Sequence, residues 1–419
     1  MSRSLPARAV LVLAPVLLLS WLAAASAAPA TGSSANLLQN PGFETPLRGH
    51  AWMPASWDTS EAGLETVFFG RDTFLVHSGS YSLNVANTST LYPVWNNWSQ
   101  ALLVGREAWG KDLVLSVWTR SNGVQGRGYI LLQAYRDTIG KMARTWGIAR
   151  DAAGKRLSIN KIDDPLLDLG WKRVYFSDQE TEWVRREARV FVPPTVNAIY
   201  VRLGLLGTGQ VIFDDASLTL EPARPVPPAP AGTNLLADPG FEGDGNAWEY
   251  SLPPYAGQRI DRDTTVAHSG RASVRGESGQ EGWAKARAGV CQVFDGRALA
   301  GKRLRLSGWV KTDSLRELAF IRIYCNSLSR GMVQSEPGQA FSLTTDWLST
   351  SLEMDVPLDA YEVWAWFAYN TPATGLVYYD DTSLEVVGPA RTLPTPRPAR
   401  PPKPAPKPRP ASTKTDPGR

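Results

Sequence analysis

A chain of 419 residues with 43% hydrophobic content and a mean hydropathy of −0.22 has the length of two or three globular domains and the composition of a folded protein. Its formal charge of +4 is unevenly placed: residues 388–419 hold eight Lys and Arg against one acid, the first 27 residues hold two Arg, and −5 remains on the rest. The pI near 9.0 therefore belongs to the tail, and the body lacks the basic charge on which nucleic-acid binding depends.

The N-terminus sets Arg3 and Arg8 before an apolar run from Ala9 to Leu22 and small residues ending in Ala25-Ser26-Ala27. This is the pattern of a secretory signal cleaved before Ala28, so residues 1–27 are expected to leave an exported, extracellular or surface protein. Retention of the run as an anchor is the alternative, for which it is short.

Next comes Asn36–Glu44, NLLQNPGFE, which returns at Asn234–Glu242 as NLLADPGFE. The order between repeats as well. His77-Ser78-Gly79 answers His268-Ser269-Gly270, LVLSVWTR (Leu113–Arg120) answers LRLSGWVK (Leu304–Lys311), and Trp183–Pro193 answers Trp347–Pro357. Each copy closes on a double aspartate, Asp214-Asp215 in VIFDDASLTL and Asp380-Asp381 in VYYDDTSLEV. The chain is thus a duplicated unit, residues 34–222 and 233–388, joined by a stiff Pro-Ala linker over 223–232 and followed by a Pro-rich basic tail over 389–419. The tail cannot build a core; it is either a spacer or a contact for an anionic cell-surface polymer.

Within each unit the pattern is β. Leu113–Trp118, Tyr129–Tyr135, Ala198–Leu206 and Phe320–Cys325 alternate or are rich in β-branched and aromatic residues, punctuated by Gly, Asn, Asp and Pro. No long stretch keeps a helical period. The fold class expected is all-β: two tandem antiparallel β-sandwich (jelly-roll) domains. The first unit carries an extra stretch, Asp137–Glu182, without a good counterpart in the second. No GxSxG, HExxH or GxxxxGK[ST] motif marks a catalytic centre, and three His with two Cys are too few and scattered for zinc. Cys291 and Cys325 lie in one unit of an exported chain, so a disulfide between them is expected.

Together, NLLxNPGFE, HSGxxS, LxLSxWxR/K and FDDxSL resemble carbohydrate-binding modules of families 4 and 9, and the resemblance covers nearly all of both units. It implies a non-catalytic sandwich that binds a glycan along one sheet face and holds structural calcium where first and last strands meet. The corresponding oxygen donors here are Glu44 with the Gly42 carbonyl, Glu242 with the Gly240 carbonyl, and one aspartate of each pair Asp214/Asp215 and Asp380/Asp381. The alternative is that these acids are turn and capping residues.

Strand phase then nominates a sugar face. With Leu113, Leu115 and Val117 inward, Trp118 and Arg120 point out; the same phase exposes Trp309 and Lys311 in the second unit. Gln133 and Tyr135, Tyr200 and Arg202, Arg322 and Tyr324, and Trp364 and Trp366 follow on neighbouring strands. Aromatic rings stack on the C–H faces of sugars while Arg, Lys and Gln bond hydroxyls. Large aromatics such as Trp118 and Trp309 equally serve as structural cover. Trp95 and Trp98 have no matching tryptophans in the second unit and are read as giving the first its own specificity. Gln100, matched by Gln292, is outward if Cys291 and Val293 are core; a buried, satisfied glutamine is the equal alternative. The reading is a monomeric, non-catalytic polysaccharide-binding protein that takes no nucleic acid; a stalk or spacer protein, or a glycoside hydrolase built on paired carboxylates, are the alternatives.

Overall fold

The computed structural model describes residues 35–60, 66–89, 95–136, 167–176, 181–251, 258–278, 286–336, 338–371 and 374–391. Residues 1–34, which include the expected signal, the tail from residue 392 and most of the 137–182 insertion lie outside the described residues. What is described is antiparallel β-structure almost throughout.

In the first repeat a small hairpin, β1 (Pro46–Leu47) and β2 (His50–Pro54), precedes an eight-stranded sheet. That sheet comprises β3 (Asp58–Ser60), β4 (Val67–Asp72), β5 (Ser82–Asn87), β6 (Trp95–Leu103), β7 (Lys111–Arg136), β8 (Leu167–Phe176), β9 (Val184–Phe191) and β10 (Ala198–Pro222). Its long strands β7 and β10 pair along their whole length and turn a corner together. At the corner, Gly126 and Gly207 have φ of 120° and 111°. A Cβ on Gly126 would lie 2.2 Å from the Leu206 carbonyl oxygen, and one on Gly207 2.1 Å from that of Gln125, so only glycine lets the backbones approach this closely.

The corner makes a sandwich from one hydrogen-bonded sheet. In the front layer the C-terminal half of β7 and the N-terminal half of β10 run with β8, β6 and β3. In the back layer the other halves run with β9, β5 and β4. Leu113, Leu115 and Val117 from one half of β7 meet Ile130, Leu132 and Ala134 from the other in a single buried cluster.

The second repeat is built the same way from β11 (Glu249–Ser251), β12 (Gln258–Asp263), β13 (Ser273–Ser278), β14 (Ala286–Asp295), β15 (Lys302–Ser327), β16 (Gly331–Gln334), β17 (Phe341–Asp355), β18 (Ala360–Thr371) and β19 (Gly375–Pro389). Here β15 crosses between layers, pairing with β18 in front and with β19 behind. The front layer is completed by β16, β14 and β11. Inward residues Leu304, Leu306 and Val310 meet Ile321, Ile323 and Cys325 in the core.

The shared opening motif has a structural task in both copies. Asn36 Oδ1 accepts from Leu38 N (3.1 Å) and Leu218 N (2.9 Å), and Asn234 Oδ1 from Leu236 N (3.1 Å) and Leu384 N (3.0 Å), so one amide fastens the first segment to the last strand. Gln100 and Gln292 hold the same segment: Gln100 bonds the Gln39 N–H and carbonyl at 2.8 and 2.9 Å, and Gln292 those of Ala237 at 3.0 and 2.6 Å. Both glutamines are therefore buried and face inward, opposite Val201 and Ala365, which corrects the outward phase expected of them.

Trp98 needs the same correction. It pairs with core residue Leu203, is fully buried, donates its Nε1–H to the Asn84 carbonyl at 3.0 Å and packs edge-on to Phe69 at 5.3 Å. The strand phase of β6 turns Asn97 and Ser99 outward instead, so Trp98 belongs to the core and not to a sugar site. The backbone of Trp95 pairs with Leu206; its side chain lies outside the described residues.

The disulfide expectation fails on register. Both cysteines are free and buried. Cys291 on β14 sits opposite Trp366 and Cys325 on β15 opposite Val363, with β18 between them. They are thus separated by two strand spacings, roughly 9–10 Å, and positions 363 and 366 face opposite sides of the sheet. Cysteines more than about 7 Å apart with divergent Cβ directions cannot be bridged.

The two repeats are packed together. Arg127 donates to the Gly245 carbonyl at 2.7 Å and to the Tyr250 hydroxyl at 2.8 Å, and Arg173 forms an ion pair with Glu249 at 3.0 Å. Tyr129, Leu131 and Tyr175 of the first repeat's front layer join the second repeat's apolar cluster. In return Tyr361 joins the first repeat's cluster, and the Arg297 guanidinium lies 3.7 Å from the centre of the Phe191 ring.

Candidate functional site

The double aspartates lie where the first and last segments meet, as their place in the repeat implies. Asp214 Oδ2 accepts from the backbone N–H of His77 (2.8 Å) and Ser78 (3.1 Å), and its Oδ1 from Asp215 N (2.7 Å). Asp215 takes His77 Nδ1 at 2.6 Å on one oxygen and the Ser78 hydroxyl at 2.7 Å on the other. Glu44 Oε1 accepts from Ser80 N and Tyr81 N at 2.9 and 3.2 Å. The second repeat reproduces the arrangement. Asp380 accepts from His268 N (2.7 Å) and Ser269 N (3.1 Å), Asp381 from His268 Nδ1 (2.6 Å) and Ser269 Oγ (2.7 Å), and Glu242 from Arg271 N (2.7 Å) and Ala272 N (3.1 Å).

The acids named for calcium are largely engaged by protein donors. The ion takes roughly six to eight oxygen ligands with free lone pairs; here Asp214, Asp215, Asp380 and Asp381 accept N–H and O–H donors on both oxygens, and Glu44 and Glu242 on Oε1. A cation also already serves the loop: Arg71 donates to the carbonyls of Phe43 (2.8 Å) and Glu44 (2.6 Å), and Arg262 to those of Phe241 (2.6 Å) and Glu242 (3.2 Å). Among the described residues no group of three or more His, Cys, Asp or Glu is arranged to hold a metal ion. Burial raises the Asp214 carboxyl to about 6 and also raises Asp380, the N–H donors offsetting only part of that cost.

The same junctions contain His, Asp and Ser side by side, yet not as a nucleophilic triad. Ser78 and Ser269 donate to the aspartates and not to the imidazoles, so the serine-to-base hydrogen bond is missing. The imidazoles are instead clamped by rings. Trp118 stacks on His77 at 4.1 Å between centroids and Trp309 on His268 at 3.9 Å, with Trp183 and Trp347 edge-on to them, each at 5.6 Å.

That contact relocates two of the expected sugar residues. Trp118 and Trp309 do point away from the core, but they lie on the back layer, opposite Asp214 and Asp380. Arg120 and Lys311 share that layer, and Lys311 is paired with Asp346 at 2.7 Å. They therefore share no face with Gln133, Tyr135, Tyr200, Arg202, Arg322, Tyr324, Trp364 and Trp366, which lie on the front layers. Strand phase tells inward from outward but cannot tell which layer half of a crossing strand has entered.

On the first repeat's front layer, Tyr135 and Tyr200 face outward and yet are buried, in a small cluster with Ala101 and Ala198. Arg202 lies over the Tyr200 ring at 4.3 Å, and Gln133 is half-buried. The neighbouring Tyr129, Leu131, Arg173 and Tyr175 are occupied by the second repeat. Little of this face is left open.

The second repeat's front layer brings the remaining residues together. Tyr324 stands directly opposite Trp364, and Arg322 opposite Trp366. Gln334 on β16 lies opposite Tyr324, is exposed, and accepts from Arg322 at 3.0 Å. Tyr324 meets Trp366 edge-on at 5.3 Å, and Arg287 of β14 donates to its hydroxyl at 2.5 Å. Glu362 closes one end, accepting from Asn326 at 3.0 Å and from the Trp364 indole. Both tryptophans are half-buried, and Trp366 Nε1 has no hydrogen-bond partner. The face is an aromatic strip edged by planar hydrogen-bonding groups, with β8 of the first repeat lying against β18. Gln334 and Arg287 were missed in the sequence. Gln334 sits on a four-residue strand with no alternation to read, whereas Arg287 was legible from the phase of β14, had Cys291 been placed outward.

No family model matches the chain, and no curated protein matches it. Solved structures of similar shape include the N-terminal tandem of two CBM22 domains from Paenibacillus barcinonensis, 14% identical, covering 86% of this chain and 100% of that one at a TM-score of 0.28. The CBM22-1 xylan-binding domain of the same organism is 17% identical over 39% of this chain and 99% of its own, with a TM-score of 0.30. A Stig cyclase from Fischerella sp. TAU is 16% identical over 46% of this chain and 100% of its own, with a TM-score of 0.31. Scores of this size assign neither function nor family to the chain; families 4 and 9 remain a resemblance carried by the motifs.

Proposed function

We propose that the chain is an exported, non-catalytic polysaccharide-binding protein whose sugar platform is the front face of the second repeat. The observation that carries this is the pair Trp364 and Trp366, in phase on one strand, set among Arg322, Tyr324 and Gln334 and away from the core. Indole faces suit the apolar C–H surface of a sugar ring, and the flanking guanidinium, amide and phenol supply directional bonds to hydroxyls. A shallow face of this kind suits a chain laid across it more than an enclosed monosaccharide. The His–Asp–Ser junctions are structural in this reading, and it needs no metal.

Binding to a panel of soluble and insoluble polysaccharides, followed by tryptophan fluorescence, tests the proposal. Trp364→Ala and Trp366→Ala should each weaken binding, by roughly 1–3 kcal/mol for a partly buried aromatic anchor, while leaving the melting temperature within a few degrees. Retained binding in both variants would refute the platform. A second reading, a rigid spacer, is favoured by the buried contacts between repeats; it predicts no binding to any glycan.

A further inference from the structure

We propose that the platform selects acidic glycans, with Arg322 and Arg287 receiving the carboxylate of a uronic acid; this rests on the reading that the face binds a glycan. The motivation is the way arginine is used elsewhere in the molecule. Arg173, Arg189, Arg275, Arg297 and Arg303 each form an ion pair with at least one carboxylate within 3.4 Å. Arg71 and Arg262 are satisfied by loop carbonyls. Arg287 and Arg322 form no ion pair among the described residues; Arg127, which also forms none, is spent on the contact between the repeats, whereas these two lie on the open front face. Their protein bonds go to neutral oxygens, the Tyr324 hydroxyl and the Gln334 amide.

A guanidinium has five N–H donors in a planar fork that matches a carboxylate two bonds at a time. Arg322 Nε is buried and has no partner. The same is true of Arg202 Nε on the front face of the first repeat. The carboxylates Glu362, Glu249 and Asp295 of the second repeat's front layer do not compete, since Glu362 is held by Asn326 and Trp364, Glu249 by Arg173 and Asp295 by Arg297. Arg322 lies beside the rings of Phe320 and Tyr324, at 5.4 and 6.0 Å, which holds its plane in place without neutralising it. A positive strip on repeats whose own net charge is −5 is therefore a local feature and not a consequence of bulk composition. A neutral sugar stacked on Trp364 and Trp366 leaves this charge unanswered; a uronate ring answers it with the same ring contacts.

The test compares polygalacturonate, alginate and hyaluronate, each beside its carboxyl-reduced neutral form, with insoluble xylan as an unrelated neutral polymer. The full-length exported protein, Arg322→Gln, Arg287→Gln and a variant lacking residues 392–419 are measured at low and high salt. The acidic form of at least one polymer should bind about tenfold or more tighter than its reduced form, the scale of a charge-assisted hydrogen bond. That preference, read as the ratio of acidic-form to reduced-form affinity, should fall in Arg322→Gln and Arg287→Gln whatever each variant loses on the neutral forms, and the melting temperature should stay within a few degrees. Equal binding of acidic and reduced forms overturns the proposal and leaves the platform standing. An acid preference that survives both arginine substitutions and vanishes without the tail also overturns it, assigning the effect to the seven basic residues of that segment. Binding to no polymer at all removes the platform reading as well.

Discussion

Replacing Glu249 alone should damage this protein more than replacing Glu249 and Arg173 together. The pair is 3.0 Å apart with side chains 10% and 15% exposed, and it bridges the two repeats. Removing one partner leaves the other charge buried without compensation, which costs about 3–5 kcal/mol. For units of this size about 1 kcal/mol moves the melting temperature by about 2–4 °C, so Glu249→Ala or Arg173→Met should lower it by roughly 6–20 °C. The double variant Arg173→Met, Glu249→Leu removes both desolvated charges and adds apolar contact beside Tyr129, Leu131 and Tyr175. It should recover most of that loss, because a buried ion pair and an apolar pair of similar volume are close in free energy. Scanning calorimetry reads both the shift and whether the repeats still melt together. Singles that melt like the parent, or a double that is worse than the sum of its parts, would refute the claim that the pair is desolvated and holds the repeats together.

If the junction acids act only as acceptors for protein donors, calcium chelation should leave the melting curve of the purified protein unchanged; a fall on adding chelator would restore the metal site. A thiol assay on unfolded, unreduced protein should count two reactive cysteines, because Cys291 and Cys325 face opposite sides of a sheet; one bridge and no thiols would contradict the register. Asp214 has a folded pKa of about 6, above its unfolded value near 4. The native state therefore binds the extra proton, and this group's contribution is fully present below pH about 4 and declines as pH rises to about 6. The difference in stability between parent and Asp214→Asn should change across that window and be flat above it. A difference constant from pH 4 to 7 would remove the assigned shift.

The fold was legible because its signals are local. Alternation in LVLSVWTR and AFIRIYC, turn residues between them and two copies of the same end motifs suffice for antiparallel sandwiches, and the inward residues read from phase are the ones found in the cores. Gln100 and Gln292 were given the wrong phase outright; the other failures are mostly questions that phase alone does not answer. Trp98 was misplaced because its strand begins in a stretch, LYPVWNNW, where polar and aromatic residues give no clear alternation. Trp118 and Trp309 were given the right direction and the wrong layer, because β7 and β15 cross between layers at corners that a one-dimensional pattern does not mark. Cys291 and Cys325 share a repeat and a compartment, yet pairing needs distance and direction, and only register supplies those.

The two repeats agree at their ends and differ on their faces, and the packing between them accounts for that division. The junction of His, Ser and double aspartate is closed inside each repeat, so nothing about duplication alters what it must do, and both copies keep it bond for bond. The front layers are not equivalent once the repeats have docked. The second repeat's Glu249 and Tyr250 meet Arg173 and Arg127, and Tyr129, Leu131 and Tyr175 of the first repeat's front sheet become part of an apolar cluster shared with the second. A face buried in this way needs apolar residues and polar groups that find partners across the contact, whereas an open one is free to keep aromatic rings on display. Arg173, on the docked face, has its carboxylate, and Arg322, on the open one, has none among the described residues. If docking is what fixed this difference, loosening it through Glu249→Ala should uncover the first face without giving it the second's binding, because the residues there were selected for packing. Gain of a second, equal glycan site in that variant would show instead that the first face is a platform held closed.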